Sequence, residues 1–311
     1  MQGLELAEKY YNQFGLPMLK QEFPHLIDKL AIGLCGSGSE AFGFDDELSR
    51  DHDFEPGFCI FIPDSEEIVS RRDEFLLERA YTKLPNEFLG FYRQRLSAVG
   101  GSRHGVKRMG DFFSEKIGVR DCDLSLNDWF SIPEYALAEA TNGKIFCDNL
   151  GEFTKKRQML MQMPDCVLKK KLAGNLLLAA QAGQYNYARC IARGEIGASR
   201  LAAHEFVQAI IKIIFLLNKT YCPFYKWQFA SLKKLKNLSA LALDLELLLT
   251  NSISQEENKM LIEKISKAIC DYLILNNLTG ENSCLLEAHA YSVNSLIKEE
   301  EIRNKSIFYA V

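Results

Sequence analysis

Two rhythms of apolar and polar positions run along this chain, and one replaces the other near its middle. Leu4 to Leu30 carries apolar residues at three-to-four spacing, which predicts helix, with interruptions near Gly15–Pro17 and at Pro24. Ala31 to Cys35 then reads as a strand running into Gly36-Ser37-Gly38-Ser39. Phe58 to Ile62 is an unbroken apolar run closed by Pro63, the pattern of a central strand covered on both faces. Residues 66 to 96 read as helical, with Arg71, Arg72, Glu74 and Arg79 on a solvated face. Val106 to Met109 and Lys144 to Cys147 read as further short strands, the second following an Asn142-Gly143 turn.

Beyond about residue 155 the strand signals fade. Leu172, Leu176, Ala179, Gly183, Tyr187, Cys190 and Ile191 share one helical face. Helical patterns recur over 198–217, 239–249, 255–276 and 283–299. The chain is therefore expected to be α+β: a mixed sheet flanked by helices over 1–153, then an all-helical domain over 154–311. The turn-rich Asp148-Asn149-Leu150-Gly151 marks the changeover.

Charge and cysteine content narrow the partners. The formal net charge is −4, so no global basic field draws the chain to nucleic acid or an anionic membrane. Nucleic acid is accordingly not the favoured partner, and no membrane association is expected. The nine cysteines are scattered and never spaced C-x-x-C, which argues against a zinc knuckle or a disulfide framework. Reduced structural thiols are the expectation, and with no basic segment leading into an apolar one near Met1, a cytoplasmic location.

The chemistry concentrates in two neighbouring segments. Gly36, Ser37, Gly38 and Ser39 follow a strand, and such a turn exposes N–H groups that can hold phosphate. Asp51 and Asp53 follow with one residue between them. On an extended segment that spacing puts both carboxylates on one face, where hard oxygen donors suit Mg2+ and the phosphates it carries.

Gly36-Ser37-Gly38-Ser39 with Asp51-His52-Asp53 resembles the signature of the DNA polymerase beta-type nucleotidyltransferases. More narrowly, stretches such as NDWFSIPEYAL, NGKIFCDNLGEFTKKRQML and GQYNYARCIARGE resemble a bacterial nucleotidyltransferase-like family of unassigned function. The resemblance extends over about residues 30 to 235. It implies a nucleotidyltransferase-type sheet beside a helical C-terminal domain. It also implies Mg2+ on Asp51 and Asp53, an NTP donor (ATP favoured), and transfer of a nucleoside monophosphate to a small-molecule, protein or RNA hydroxyl. A third carboxylate is expected on a later strand, yet Gly105 to Met109 contains no acid. Asp121 and Asp123 have same-face spacing and are the substitutes, although the narrower resemblance puts them in a loop. The competing reading is a nucleotide-binding regulatory protein that has lost turnover, or a helical module that binds a partner.

Other residues carry weaker signals. Asp45 and Asp46 read as helix caps, while Arg50 has either those acids or a phosphate as its partner. Arg189 and Arg193, four apart on a helix, suit a bidentate grip on a triphosphate, or else form a solvated helix end before Gly194. Lys226, within the aromatic-rich Tyr221 to Trp227, is a further phosphate candidate. Lys169 to Lys171 and Lys233, Lys234 and Lys236 read as solvated faces, with no regular interleaving of aromatics to favour RNA.

Overall fold

A computed structural model of the protein describes residues 1–47, 54–93, 103–250 and 252–311. The chain divides into two compact units. The first comprises Met1–Ser125 and Ile132–Gln162, the second Leu126–Ser131 and Met163–Val311. The architecture is α+β, with a mixed sheet flanked by helices in the first unit and helices alone in the second.

The first unit opens with α1 (Gly3–Tyr10), a π-helical turn (Tyr11–Gly15) and α2 (Leu16–Glu22). The expected interruption at Gly15–Pro17 is absent. The helix runs on through the π turn Tyr11–Gly15, whose irregular winding just before Pro17 takes up the proline's missing N–H. The chain then runs through β1 (Ala31–Leu34), α3 (Ser39–Phe42) and β2 (Cys59–Ile62) to α4 (Arg71–Thr82). Here the helix expected over 66–96 stops early. Pro85 forbids its continuation, and a hairpin follows, β3 (Glu87–Phe88) and β4 (Phe91–Tyr92). Its two turn residues, Leu89 and Gly90, both have positive φ, as hairpin turns that match strand twist require.

Next come β5 (Gly105–Arg108) and α5 (Met109–Ile117), then α6 (Leu126–Ser131), α7 (Glu134–Thr141), β6 (Lys144–Asp148) and α8 (Glu152–Leu160). The sheet order is β5-β2-β1-β6, with β2 and β5 parallel and the other pairs antiparallel. Strand β2 is central and wholly buried. Ile60 and Ile62 join a core with Tyr10, Tyr11 and Leu77, while Phe61 packs on Phe112 and stacks on Phe153 at 4.1 Å. Two covered faces explain why this strand reads as a continuous apolar run. Phe153 is carried by α8, and the first unit runs on through that helix to Gln162 rather than ending at 153.

The second unit is built from α6 together with α9 (Asp165–Ala179), a π-helical segment (Ala180–Tyr187), α10 (Ala188–Ala192), α11 (Ile196–Leu217), α12 (Gln228–Leu232), α13 (Leu241–Leu249), α14 (Gln255–Leu275), α15 (Leu286–Ser295) and α16 (Glu300–Arg303). One core gathers Leu176, Phe206, Ile210, Leu245, Ile269 and Val293. Gly183 lets the π segment close on Phe206, where a Cβ would come within 2.3 Å of the ring. Among the described residues no helix is long and apolar enough to cross a membrane.

Lys170 and Lys171 correct the expectation of a solvated lysine face, because both are buried. Lys170 is 0% exposed and donates to Asn294 Oδ1 (2.9 Å), Arg303 O (3.2 Å) and Lys305 O (2.7 Å). It ties the segment after α15 to α9. Lys170→Met takes the donor from Asn294 Oδ1 and Lys305 O, while Arg303 O keeps the Asn294 amide (3.2 Å), and urea melts are expected to show a loss of about 1–3 kcal/mol. Burial holds the ammonium below its ordinary value of 10.5. The folded state therefore sheds this proton before the unfolded state does. Below the lowered pKa the buried charge costs stability, and that cost is relieved as pH rises toward 10.5. The difference between wild type and Lys170→Met across that window isolates the effect.

Candidate functional site

Strand β1 delivers the chain into the Gly36–Ser39 turn, which the fold holds from three sides. Gly36 and Gly38 have φ of +108° and +117°, values that side chains disfavour. The Asn142 amide clamps Gly36 in both directions, accepting from its N–H (2.8 Å) and donating to its carbonyl (2.7 Å). Asn142 is itself fixed by Arg157, which donates to its carbonyl at 2.7 Å. The neighbouring Gly143, at φ +74°, lies so close to β1 that a Cβ would sit 2.0 Å from Leu34 O. Only glycine passes there.

Ser37 stands at the centre of the polar cluster. Its hydroxyl donates to Glu139 Oε2 at 2.6 Å and accepts from Lys116 Nζ at 2.8 Å. Lys116 also meets Glu115 at 3.1 Å and Glu139 at 3.4 Å. Beside them opens a pocket of about 190 Å³, lined by Cys35, Ser37, Arg103, Lys107, Phe112, Glu115 and Lys116. Three cations thus face one lining carboxylate. Burial alone would raise Glu115, but Lys107 (3.2 Å) and Lys116 outweigh it and hold the group below its ordinary value, so it is ionised at neutral pH. Burial pushes the Cys35 thiol up to about 11, so the protonated form is favoured at neutral pH.

Glu40 lies beneath the turn. It is buried, and a Cβ on Gly38 would come within 2.4 Å of its Oε1. Among the described residues that oxygen has no hydrogen bond and lies 3.7 Å from Arg103 Nη1, and burial raises the carboxyl above its usual range. A hydrogen bond of 3.0 Å joins buried His104 Nδ1 to Glu55.

The residues singled out from the sequence are placed as follows. Gly36, Ser37, Gly38 and Ser39 form the turn, with Ser37 lining the pocket and Ser39 opening α3. Asp51 and Asp53, the expected metal ligands, lie outside the described residues, as does Arg50. Asp121 and Asp123 are exposed in the loop after α5, where the Asp123 N–H donates to Asp121 Oδ1 at 3.1 Å, and neither lines the pocket. Asp45 takes the Gly3 N–H at the start of α1 (2.8 Å), a capping contact. Arg189, Arg193 and Lys226 belong to the second unit and are exposed. Arg189 lies over the Tyr185 ring, Arg193 ends α10 before Gly194, and Lys226 lies 4.6 Å over Trp227. Among the described residues no three His, Cys, Asp or Glu side chains gather to hold a metal ion.

Lys116, Glu139, Lys107, Arg103 and Asn142 carry the polar chemistry of the pocket and its rim, and the sequence reading missed all five as site residues. Asn142 was visible only as a turn. Lys116 follows Phe112 by four residues on α5, so both face the pocket, but a lone lysine at that spacing has no signature.

A domain of unknown function (DUF4037) matches residues 129–228. No curated protein and no solved structure matches the chain. The matched segment includes Glu139 and Asn142 on the rim of the pocket and Arg189, Arg193 and Lys226 in the second unit.

Proposed function

We propose that the first unit binds a nucleoside triphosphate by its phosphates at the Gly36–Ser39 turn and transfers the nucleoside monophosphate to a hydroxyl acceptor. The observation that carries this reading is the Ser37 pocket, where Arg103, Lys107 and Lys116 converge beside a glycine turn at a strand end. At about 190 Å³ it is smaller than the roughly 300 Å³ at which pockets for whole drug-sized ligands begin. It therefore suits phosphate groups, with base and sugar outside. Lys116 and Ser37 would bind phosphoryl oxygens, and Lys107 and Arg103 would neutralise their charge.

Asp51 and Asp53 are hard carboxylates one residue apart, a donor set that fits Mg2+. Bound there, Mg2+ supplies electrostatic stabilisation of the attacking and leaving oxygens. The acceptor oxygen forms a bond to the α-phosphorus, the α–β bridging P–O bond breaks, pyrophosphate leaves, and the acceptor proton passes to a base. Lys116 and Ser37 remain on the departing pyrophosphate.

One observation favours the second reading, binding without turnover. Strand β5, where the resembled superfamily carries its third acid, directs Lys107 to the pocket instead. Calorimetry with ATP, GTP, CTP and UTP, with and without Mg2+, separates the possibilities when paired with a pyrophosphate-release assay. Mg2+-dependent binding lost in Asp51→Asn/Asp53→Asn supports the site, and release with a hydroxyl acceptor supports transfer. Binding with no release under any acceptor selects the second reading. No binding of any NTP at millimolar levels overturns both.

A further inference from the structure

We infer that residues 218–237 of the second unit form a closed basic loop that binds single-stranded nucleic acid. From Glu205 to Asp244 the chain contains six lysines and no acid between those two residues. In the linear sequence the lysines look dispersed, but the fold gathers them. Asn218 pairs with Asn237 across the base of the segment, donating from its amide to Asn237 O (3.0 Å) and accepting from Asn237 N (2.9 Å). The clamp brings Lys219 and Lys236 to one place, and both are exposed.

Inside the loop, buried Gln228 donates to buried Cys222 Sγ at 3.4 Å, and Leu232 is fully buried. The segment is packed by its own side chains between ends held together, the build of a compact surface loop. Five of its lysines, Lys219, Lys226, Lys233, Lys234 and Lys236, are exposed. Lys233 pairs with Glu246, an acid from outside the loop, at 2.6 Å.

The exposed apolar surface of the loop is aromatic. Phe224 and Tyr225 are 42% and 69% exposed, with ring centroids 4.4 Å apart, and Lys226 lies over Trp227. The loop's leucines, Leu232 and Leu235, are buried and half-buried. That division decides between the anionic partners. A membrane surface takes a broad apolar face, leucines together with aromatics, inserted among acyl chains, and this loop exposes no aliphatic side chain. Flat rings beside lysines instead suit unpaired bases over a phosphate backbone, where each stacked base contributes about 1–3 kcal/mol. The acidity of the chain as a whole does not oppose this, because screening confines the competing charges to about 10 Å at about 0.1 M salt and to little more at half that.

The test is fluorescence anisotropy with a short labelled single-stranded RNA of mixed sequence, using the full chain at about 50 mM salt. Wild type is expected to bind, Lys219→Glu/Lys236→Glu to weaken binding at least about tenfold with a shallower salt dependence, and Tyr225→Ala to weaken it about tenfold. Lys298→Glu, an exposed lysine elsewhere in the unit, is expected to leave binding unchanged. Thermal melts check that each variant is folded. No binding by wild type at about 100 µM overturns the inference, as does equal loss in Lys298→Glu. Duplex binding as tight as single-stranded binding and indifferent to Tyr225→Ala reduces the loop to a charge patch and overturns it too. So does capture by phosphatidylserine vesicles without RNA binding.

Discussion

Glu74→Ala is expected to cost the first unit about 3 kcal/mol, the low end of the range for breaking a buried ion pair, since Arg108 is buried while Glu74 is 18% exposed. Arg108 ends β5 and is 2% exposed. Its guanidinium donates to Glu74 Oε2 from both Nε (3.0 Å) and Nη2 (2.7 Å), and to the carbonyls of Pro63 (3.0 Å), Asp64 (3.1 Å) and Val69 (3.2 Å). The carbonyls satisfy its geometry, but Glu74 alone among these partners balances its charge. Without that carboxylate a cation stays buried and unpaired, because arginine does not release its proton in proteins. Urea denaturation followed by circular dichroism measures the loss. Glu74→Gln keeps an acceptor and is expected to lose less. Arg71 also reaches Glu74 (3.2 Å), but it is exposed, and Arg71→Ala is expected to change stability by under about 1 kcal/mol. A Glu74→Ala protein as stable as wild type would show that Arg108 finds water, and that the end of β5 is looser than its hydrogen bonds indicate.

The same residue pair has a bearing on the pocket. Successive strand residues alternate between faces, so Arg108 locked against α4 turns Lys107 to the opposite side, where it lines the cavity with Ser37. A strand that read only as a short apolar-and-basic run thus sets both the stability of the unit and the sign of charge in its pocket.

Where the pattern along the chain had a single physical meaning, it carried through to structure. Phe58 to Ile62 is apolar at every position because both faces of β2 are covered. The helices of the second unit follow the three-to-four spacing of their buried faces. Charge runs are less direct. Three consecutive lysines on a helix point about 100° apart at 3.6 residues per turn, so Lys169 to Lys171 cannot share one solvated face. On α9, which is covered on most sides, Lys170 and Lys171 are carried inward. The hairpin after α4 was hidden because its strands are two residues long, too short for a periodicity to register.

The glycine-serine turn was legible because its chemistry is local. Its partners were not. Lys116, Glu139 and Asn142 lie 79, 102 and 106 residues from the positions they contact, and no window along the chain joins them. The loop at 218–237 shows the same limit. Its aromatics and four of its five lysines were noticed, but not Lys219, and the Asn218–Asn237 clamp that assembles them depends on the fold of the second unit.

Those long-range partners lead to opposite expectations for two substitutions at one cluster. Lys116→Met is expected to weaken binding of inorganic pyrophosphate about 10- to 150-fold, the equivalent of roughly 1.5–3 kcal/mol for hydrogen bonds to a charged group. Pyrophosphate is the suitable probe because it fits the small pocket without base or sugar. Glu139→Gln is expected to tighten binding several-fold. Glu139 holds the Ser37 hydroxyl at 2.6 Å and meets Lys116 at 3.4 Å, so an incoming phosphoryl oxygen competes with a resident carboxylate for both donors. Glutamine keeps the shape and an acceptor for Ser37 while removing the charge that repels the ligand. Calorimetry on the two variants and wild type reads both effects, and each should shrink as salt is raised. If Lys116→Met binds as tightly as wild type, the phosphates sit elsewhere in the unit. If Glu139→Gln weakens binding, the carboxylate is needed to hold Ser37 and Lys116 in place for the ligand, and Glu139 serves as a positioning residue.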